Sequence, residues 1–267
     1  MTTPPAAEPL LPFLVGGFVL LLLGVATLTF GRAPVPAFNS GAATRRAALY
    51  AVVYGAVTAC FMRLVEPALL GEELSPWLLA LGDVIFVTIG LFTWVMVLAE
   101  GHDLSRYGFR GARFPRFGLA LAMGLAVVLV HPFDAYRALL SGSRVVTADS
   151  LVFALLFAVV GSAFPEEMLF RGYMAGSLDG RVRPFVRVLA PALAFTAVRA
   201  VRFMPNGGLG EVGWVSYVLG TALPLGIWWG IMREVAGGSI WPCLISHILH
   251  EFGTALASSS PVAPVAS

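Results

Sequence analysis

The chain has 267 residues, of which 58% are hydrophobic and only 12% are charged, and its mean hydropathy is +0.85. Soluble domains average roughly 45–50% apolar and 25% charged residues, so this composition excludes an ordinary soluble domain and indicates an integral membrane protein. The net charge of +2 is spread over many connections without a basic patch, which argues against nucleic acid as a partner.

The apolar runs predict an all-α polytopic membrane bundle of about eight transmembrane helices. The first run follows Glu8 and lacks a preceding basic segment, so we expect it to be retained as a span rather than cleaved as a signal peptide. Short Pro/Ala/Ser-rich tails are expected at 1–9 and 259–267. The runs lie at residues 10–30, 47–65, 77–99, 117–132, 150–178, 186–202, 213–232 and 238–257.

Arginines cluster in alternate connections between these runs. Basic residues concentrate in the cytoplasmic loops of membrane proteins, so we expect the odd-numbered connections inside and both termini outside. The third connection, residues 104–111, mixes arginines with aromatics and is either an interfacial segment against lipid headgroups or an ordinary loop. The clustered arginines are Arg32, Arg45 and Arg46 in the first connection, Arg106, Arg110, Arg113 and Arg116 in the third, Arg181, Arg183 and Arg187 in the fifth, and Arg233 in the seventh.

Three charged residues, Glu166, Glu167 and Arg171, lie within six positions of an apolar helix. Each charge near a membrane helix centre costs roughly 2.5–3.5 kcal/mol, so such residues are candidates for a functional site. Glu167 and Arg171 are i,i+4 neighbours that can form an ion pair, whereas Glu166 points about 100° away. Adjacent carboxylates disfavour double ionisation and a nearby guanidinium favours the charged form, which suits a general base acting on water.

Two other interpretations of these charges stay open at this point. The charges can form an interhelical ion-pair lock without chemistry, or mark a helix end that emerges into headgroups. Pro165 removes a backbone hydrogen bond, so we expect the helix to bend there and open a water pocket beside the acids. Pro224 predicts a second kink, either with a cavity or accommodated by neighbouring helices.

Two segments give the chain a specific family resemblance. Residues 164–173 (FPEEMLFRGY) and 238–247 (GSIWPCLISH) resemble the first and third motifs of the CAAX prenyl protease and bacteriocin-processing family (CPBP, or Abi). Members of this family are glutamic-type intramembrane endopeptidases. The resemblance covers about residues 100–258, which we expect to form the peptidase core, with residues 10–99 supplying accessory transmembrane helices.

The resemblance implies a role for each matching residue. Glu166 corresponds to the glutamate that activates water, and Glu167 and Arg171 to the residues that fix its charge and helix geometry. His247 corresponds to the histidine that positions water or stabilises the oxyanion. The implied reaction is hydrolysis of a membrane-anchored peptide or protein in the lipid bilayer, without a covalent intermediate. The composition suggests a bacterial inner (cytoplasmic) membrane, where prenylated substrates are not expected.

The chain departs from the family pattern at two positions. The second motif, F-x-x-x-H, appears as Phe195 to Arg199, and the third, H-x-x-x-N, appears as His247 to Glu251. Arginine stays protonated and has no acceptor, so Arg199 cannot serve as a base. It can stabilise an oxyanion or pair with Glu251, since the two changes complement each other in charge. The enzyme is therefore either active with Arg199 in place of histidine, or a catalytically inactive relative that serves as a binding or scaffold subunit.

Two further hypotheses remain beside these. His247, His250 and Glu251 share a helical face and could join Glu166 around a divalent metal, but their spacing is not that of a zincin, so we expect no metal cofactor. A hydrogen bond from His250 to a neighbouring helix is the simpler expectation for that residue. A small-solute transporter using Asp83 is the other class, although such transporters usually carry internal repeats and the sequence shows none. Nothing in the sequence specifies an oligomeric state.

Overall fold

The computed structural model describes residues 38–60, 91, 93–130, 132–202 and 211–259. The predicted run at 10–30, most of the run at 77–99, Asp83 and the tail at 1–9 lie outside these residues, as does the tail at 259–267 except for its first residue. The described chain is helical and contains no β-strand, which confirms the all-α fold class. The helices are α1 (Gly41–Cys60), a 3₁₀ turn (Leu104–Tyr107), α2 (Arg116–Val130), α3 (Phe133–Leu140), α4 (Ala148–Ser177), α5 (Pro184–Arg202), α6 (Glu211–Tyr217, Val218–Ala222 and Leu223–Val235 in succession) and α7 (Trp241–Ser259).

Three of the described helices are long and apolar enough to cross a bilayer. They cover Ala148–Ser177, Pro184–Val201 and Gly213–Val235, and with the composition they indicate an integral membrane protein. The apolar part of α2, Arg116–Leu129, is shorter. The prediction of about eight transmembrane helices is therefore not confirmed for the described residues. The short helix α3 was not predicted from the sequence.

The motif helix α4 is π-helical on both sides of its proline. Residues Phe157–Ala163 and Glu167–Met174 are π-helical, and Phe164–Glu166 lies between them. Proline lacks an N–H and its ring clashes with the preceding turn, so a wider turn accommodates it without ending the helix. A third π-helical segment, Val218–Ala222, precedes Pro224 in the same way. Both prolines at which a kink is expected thus follow a π-helical segment, and such segments occur frequently at functional sites. The kinks themselves stay predictions.

The connections that carry arginines meet at one end of the bundle. Arg181 after α4 donates to Thr44 Oγ1 at 3.0 Å, which places the fifth connection beside the first. Arg110 donates to the Gly237 carbonyl at 2.8 Å, which places the third connection beside the seventh. The structure thus agrees with the alternation of arginines along the chain. Their assignment to the cytoplasmic side stays a prediction.

The third connection is anchored to the protein through Tyr107 and Gly108. Tyr107 is fully buried and its hydroxyl donates to the Val97 carbonyl at 3.0 Å. Gly108 has a φ of 85°, which favours glycine, and its carbonyl accepts from the Ile240 amide at 3.0 Å. The segment therefore ties the entry of α7 to the end of α4, and its contact with lipid headgroups stays a prediction.

Candidate functional site

Glu166 lies at the centre of a buried cluster formed by α1, α4, α5 and α7. Its side chain is 1% exposed. Oε2 accepts from Arg199 Nη2 at 2.6 Å and from Arg199 Nε at 3.2 Å. Oε1 lies 3.4 Å from the Tyr54 hydroxyl, which donates to it. The carboxylate of the motif therefore faces three other helices and not lipid, as its proposed role requires.

Glu167 uses a different set of partners, as its position one residue further around the helix implies. Its Oε1 lies 2.9 Å from His247 Nδ1 and 3.1 Å from Arg171 Nη1, so the predicted i,i+4 ion pair is present. Arg171 also donates to the Gly226 carbonyl at 3.1 Å, and its guanidinium lies 4.5 Å from the ring centroid of Phe195. These contacts fix the helix on which Glu166 lies, and they give Phe195 a packing role.

His247 contacts four members of the cluster through its two ring nitrogens. Nδ1 lies 2.9 Å from Glu167 Oε1. Nε2 lies 3.1 Å from Arg199 Nη2, 3.4 Å from Glu251 Oε1 and 3.7 Å from Glu166 Oε2. The ring stacks on Trp229 with centroids 4.0 Å apart. Nε2 of the imidazole thus faces the motif glutamate.

Arg199 and Glu251, the two departures from the family pattern, form an ion pair in the same cluster. Arg199 Nη2 lies 2.9 Å from Glu251 Oε1 and donates to Ser162 Oγ at 2.9 Å. The guanidinium also lies 5.2 Å from the Phe195 ring centroid. The complementary charges noted in the sequence are therefore matched by a direct contact, and Arg199 bridges Glu166 and Glu251.

The same guanidinium fills the space that a metal would need. Nη2 of Arg199 lies between Glu166, His247 and Glu251, and a cation there repels a second cation. Among the described residues, no group of three or more His, Cys, Asp or Glu side chains is arranged to hold a metal ion. His250 lies 3.7 Å from Glu251 Oε1 and edge-on to Trp229 at 6.1 Å. The donor set present does not fit the metal hypothesis.

The cluster has an unbalanced charge when every carboxyl is ionised and His247 is neutral. Glu166, Glu167 and Glu251 then face Arg171 and Arg199, so three negative charges oppose two positive ones. A buried charge without a partner is costly, so uptake of one proton would balance the cluster. The arrangement is therefore suited to accept a proton from a water molecule. The five groups are at most 6% exposed, and the water pocket expected beside Pro165 stays a prediction.

Sequence reasoning missed Tyr54, Ser162 and Trp229 as members of the site. Tyr54 belongs to a helix that was assigned an accessory role, yet its hydroxyl reaches Glu166 and the neighbouring Gly55 packs against Val198. The sequence did contain a signal for Tyr54. Tyr50 and Tyr54 lie four residues apart on α1, so their two hydroxyls share one face of the helix. The boundary between accessory helices and core at residue 100 stays a prediction.

Tyr50, four residues before Tyr54, contacts a separate buried carboxylate, that of Glu100. Glu100 accepts from Arg46 Nε at 2.6 Å and Nη2 at 2.7 Å, from Tyr50 at 2.7 Å and from Tyr173 at 2.5 Å. Burial opposes its ionisation, but the hydrogen bonds from Arg46, Tyr173 and Tyr50 outweigh burial and lower the pKa of Glu100. This centre joins α1 to the end of the motif helix.

The comparison with known proteins agrees with this geometry. A family model described as type II CAAX prenyl endopeptidase Rce1-like matches residues 148–253. The matched stretch contains Glu166, Arg199, His247 and Glu251, and it confirms the resemblance to the CAAX family over a shorter range than residues 100–258. No curated protein and no solved structure matches the chain.

Proposed function

We propose that this chain, whose residues 148–253 match an Rce1-like family model, is an intramembrane endopeptidase of the inner membrane. It hydrolyses a peptide bond of a membrane-anchored peptide or protein with a water molecule activated by Glu166. One observation carries this proposal: Glu166 Oε2 lies 3.7 Å from His247 Nε2, and both residues are buried inside the bundle. A water molecule that enters beside these two atoms meets two proton acceptors, the Glu166 carboxylate and the His247 imidazole.

In this mechanism Glu166 removes the proton as the water attacks the scissile carbonyl. Glu167 holds His247 as the Nδ1–H tautomer, so that Nε2 stays directed at the reacting centre. Arg199 supplies the positive charge for the developing oxyanion, because a guanidinium in a water-excluded site stabilises negative charge strongly. The proton on Glu166 then passes to the leaving amine, so the reaction needs no covalent intermediate.

Access to Glu166 requires Arg199 to move. In the structure, Arg199 Nη2 donates to Glu166 Oε2 at 2.6 Å and occupies the position that the water molecule needs. Glu251 and Ser162 bind the same nitrogen at 2.9 Å each. The guanidinium can therefore leave Glu166 and keep buried partners, which lowers the cost of opening. In this proposal Glu251 holds the displaced arginine, which explains an acidic residue where the family has asparagine.

The alternative is a non-catalytic relative that binds membrane peptides as a scaffold subunit. The observation that favours it is the same Arg199–Glu166 ion pair, since a permanently paired carboxylate cannot act as a base. The membrane peptide that is cleaved or bound would be the sorting tail of a protein or a peptide precursor in both alternatives. The proposal and its alternative predict different cleavage activity when Arg199 and Glu251 are replaced by the histidine and asparagine of the family pattern.

The test measures new protein termini by mass spectrometry in membranes from cells that express each variant. We expect the wild type to generate cleavage products that Glu166→Gln abolishes. Glu234→Gln is the matched control, since Glu234 is a partly buried carboxylate paired with Arg187 outside the site, and it should retain cleavage. The catalytic proposal fails if wild type and Glu166→Gln give the same termini. Cleavage only in the double variant Arg199→His/Glu251→Asn would establish the scaffold alternative.

A further inference from the structure

A cavity away from the glutamate cluster opens between the end of α2, the short helix α3 and the outer face of α7. Its volume is about 560 Å³, within the range of small-molecule sites. Its walls are mainly aliphatic and aromatic. Leu129 and Leu140 are 68% and 88% exposed, so the apolar wall continues onto the outer surface of the protein. The lining residues are Val128, Leu129, Phe133, Tyr136, Arg137, Leu140, Ser141 and Leu249.

A second, polar cavity adjoins the first at the end of α3. It has a volume of about 360 Å³ and is lined by Arg137, Ala138, Ser141 and Ser143. Arg137 and Ser141 belong to both cavities, so the apolar slot ends at a guanidinium and hydroxyl groups. An apolar slot with a cation at its mouth matches an amphiphile that carries a negative headgroup.

We propose that these joined cavities bind a phospholipid with an anionic headgroup, its phosphate on Arg137 and one acyl chain in the apolar slot. The planar guanidinium of Arg137 can donate two parallel hydrogen bonds to the oxygens of a phosphate. The position also fits a lipid, because α3 precedes the candidate span that begins at Ala148 and therefore lies near a membrane interface. Amphipathic helices of this kind lie in the interface with their apolar face toward acyl chains.

The bound lipid would act on the helix that carries the third motif. Tyr136 of α3 donates to the Leu249 carbonyl of α7 at 2.6 Å. A Cβ at position 253 would lie 2.5 Å from the Tyr136 ring, so the fit depends on Gly253. A lipid that fills the slot holds α3 against α7, and α7 carries His247 and Glu251. Lipid occupancy thereby stabilises the helix that completes the glutamate cluster.

The experiment measures lipid retention on the purified full-length chain by native mass spectrometry. The probes are phosphatidylglycerol and phosphatidylcholine with identical palmitoyl-oleoyl chains. We expect phosphatidylglycerol to be retained preferentially and Arg137→Gln to weaken its binding about tenfold, equivalent to ~1.4 kcal/mol. Arg144→Gln is the matched control, because it removes the same charge in the same connection but Arg144 lines neither cavity. Leu140→Trp should fill the slot and reduce retention of both lipids.

Three outcomes would overturn the proposal. Equal retention of the two lipids by the wild type would exclude recognition of the headgroup. Equal losses in Arg137→Gln and Arg144→Gln would indicate general attraction to a basic surface. Unchanged retention in Leu140→Trp would exclude the slot as the acyl site. The readout involves no cleavage, so its failure is distinguishable from failure of the proposed peptidase activity.

Discussion

Removal of Arg199 tests the buried charge network most directly. Its Nη2 lies 2.6 Å from Glu166 Oε2 and 2.9 Å from Glu251 Oε1, and the residue is 6% exposed. Arg199→Gln leaves both carboxylates without their shared cation, and removing one partner of a buried ion pair costs about 3–5 kcal/mol. Glu251→Gln leaves Arg199 paired with Glu166, so we expect the smaller cost of about 1–2 kcal/mol.

The double variant decides whether these residues act as one unit. In Arg199→Gln/Glu251→Gln only Glu166 loses its cation, so the loss of stability should be smaller than the sum of the single losses by about 1–3 kcal/mol. The free energy of unfolding is measured by reversible denaturation in detergent micelles, with the exposed Arg45→Gln as the charge-matched control. A loss below about 0.5 kcal/mol in Arg199→Gln, or strict additivity in the double variant, would refute the reasoning.

Two further predictions concern the packing around the motif helix. Glu100 has a lowered pKa in the folded protein. Its stabilising contribution is therefore present above about pH 4.3 and is lost as the pH falls through that lowered pKa. Because Glu100→Gln removes this ionisable group, the variant should lose less stability than the wild type between about pH 7 and pH 3. Thermal unfolding across that range measures this, and equal acid-induced losses would contradict it. Gly172→Ala places a Cβ 2.5 Å from the Tyr107 carbonyl oxygen, so we expect a destabilisation of about 1–3 kcal/mol. Gly220→Ala, with nothing within 4 Å of its Cβ, should be neutral or stabilising by up to about 1 kcal/mol, and equal effects of the two alanines on the unfolding temperature would argue against this packing.

The helical fold and the location of the buried charged cluster were predictable because they depend on local pattern. The predicted runs at 150–178, 186–202, 213–232 and 238–257 correspond to helices α4 to α7 within a few residues. Charge in an apolar helix is costly, so the three charged motif residues indicated a buried site without any knowledge of contacts. The complementary changes at Arg199 and Glu251 likewise predicted an ion pair, since two opposite charges gained in one pocket compensate each other.

Other features depended on distances that a linear pattern does not contain. A proline in an apolar helix predicts a missing hydrogen bond, but whether the adjoining turns become π-helical depends on the surrounding packing, and here they do. The 3₁₀ turn at Leu104–Tyr107 has the composition of an interfacial loop, yet the glycine at position 172 leaves room for its backbone against α4.

The sequence by itself indicated an all-helical membrane protein with charged residues inside one apolar helix, because hydrophobicity and charge cost are properties of each segment. The resemblance to the CAAX family rests on the motif residues and not on these properties. Only the tertiary structure decided which groups share the cluster. It brought Tyr54 of a predicted accessory helix and Arg199 of α5 to Glu166. Long-range packing sets these contacts, because side chains far apart in the chain meet only when the helices that carry them are oriented by their apolar faces.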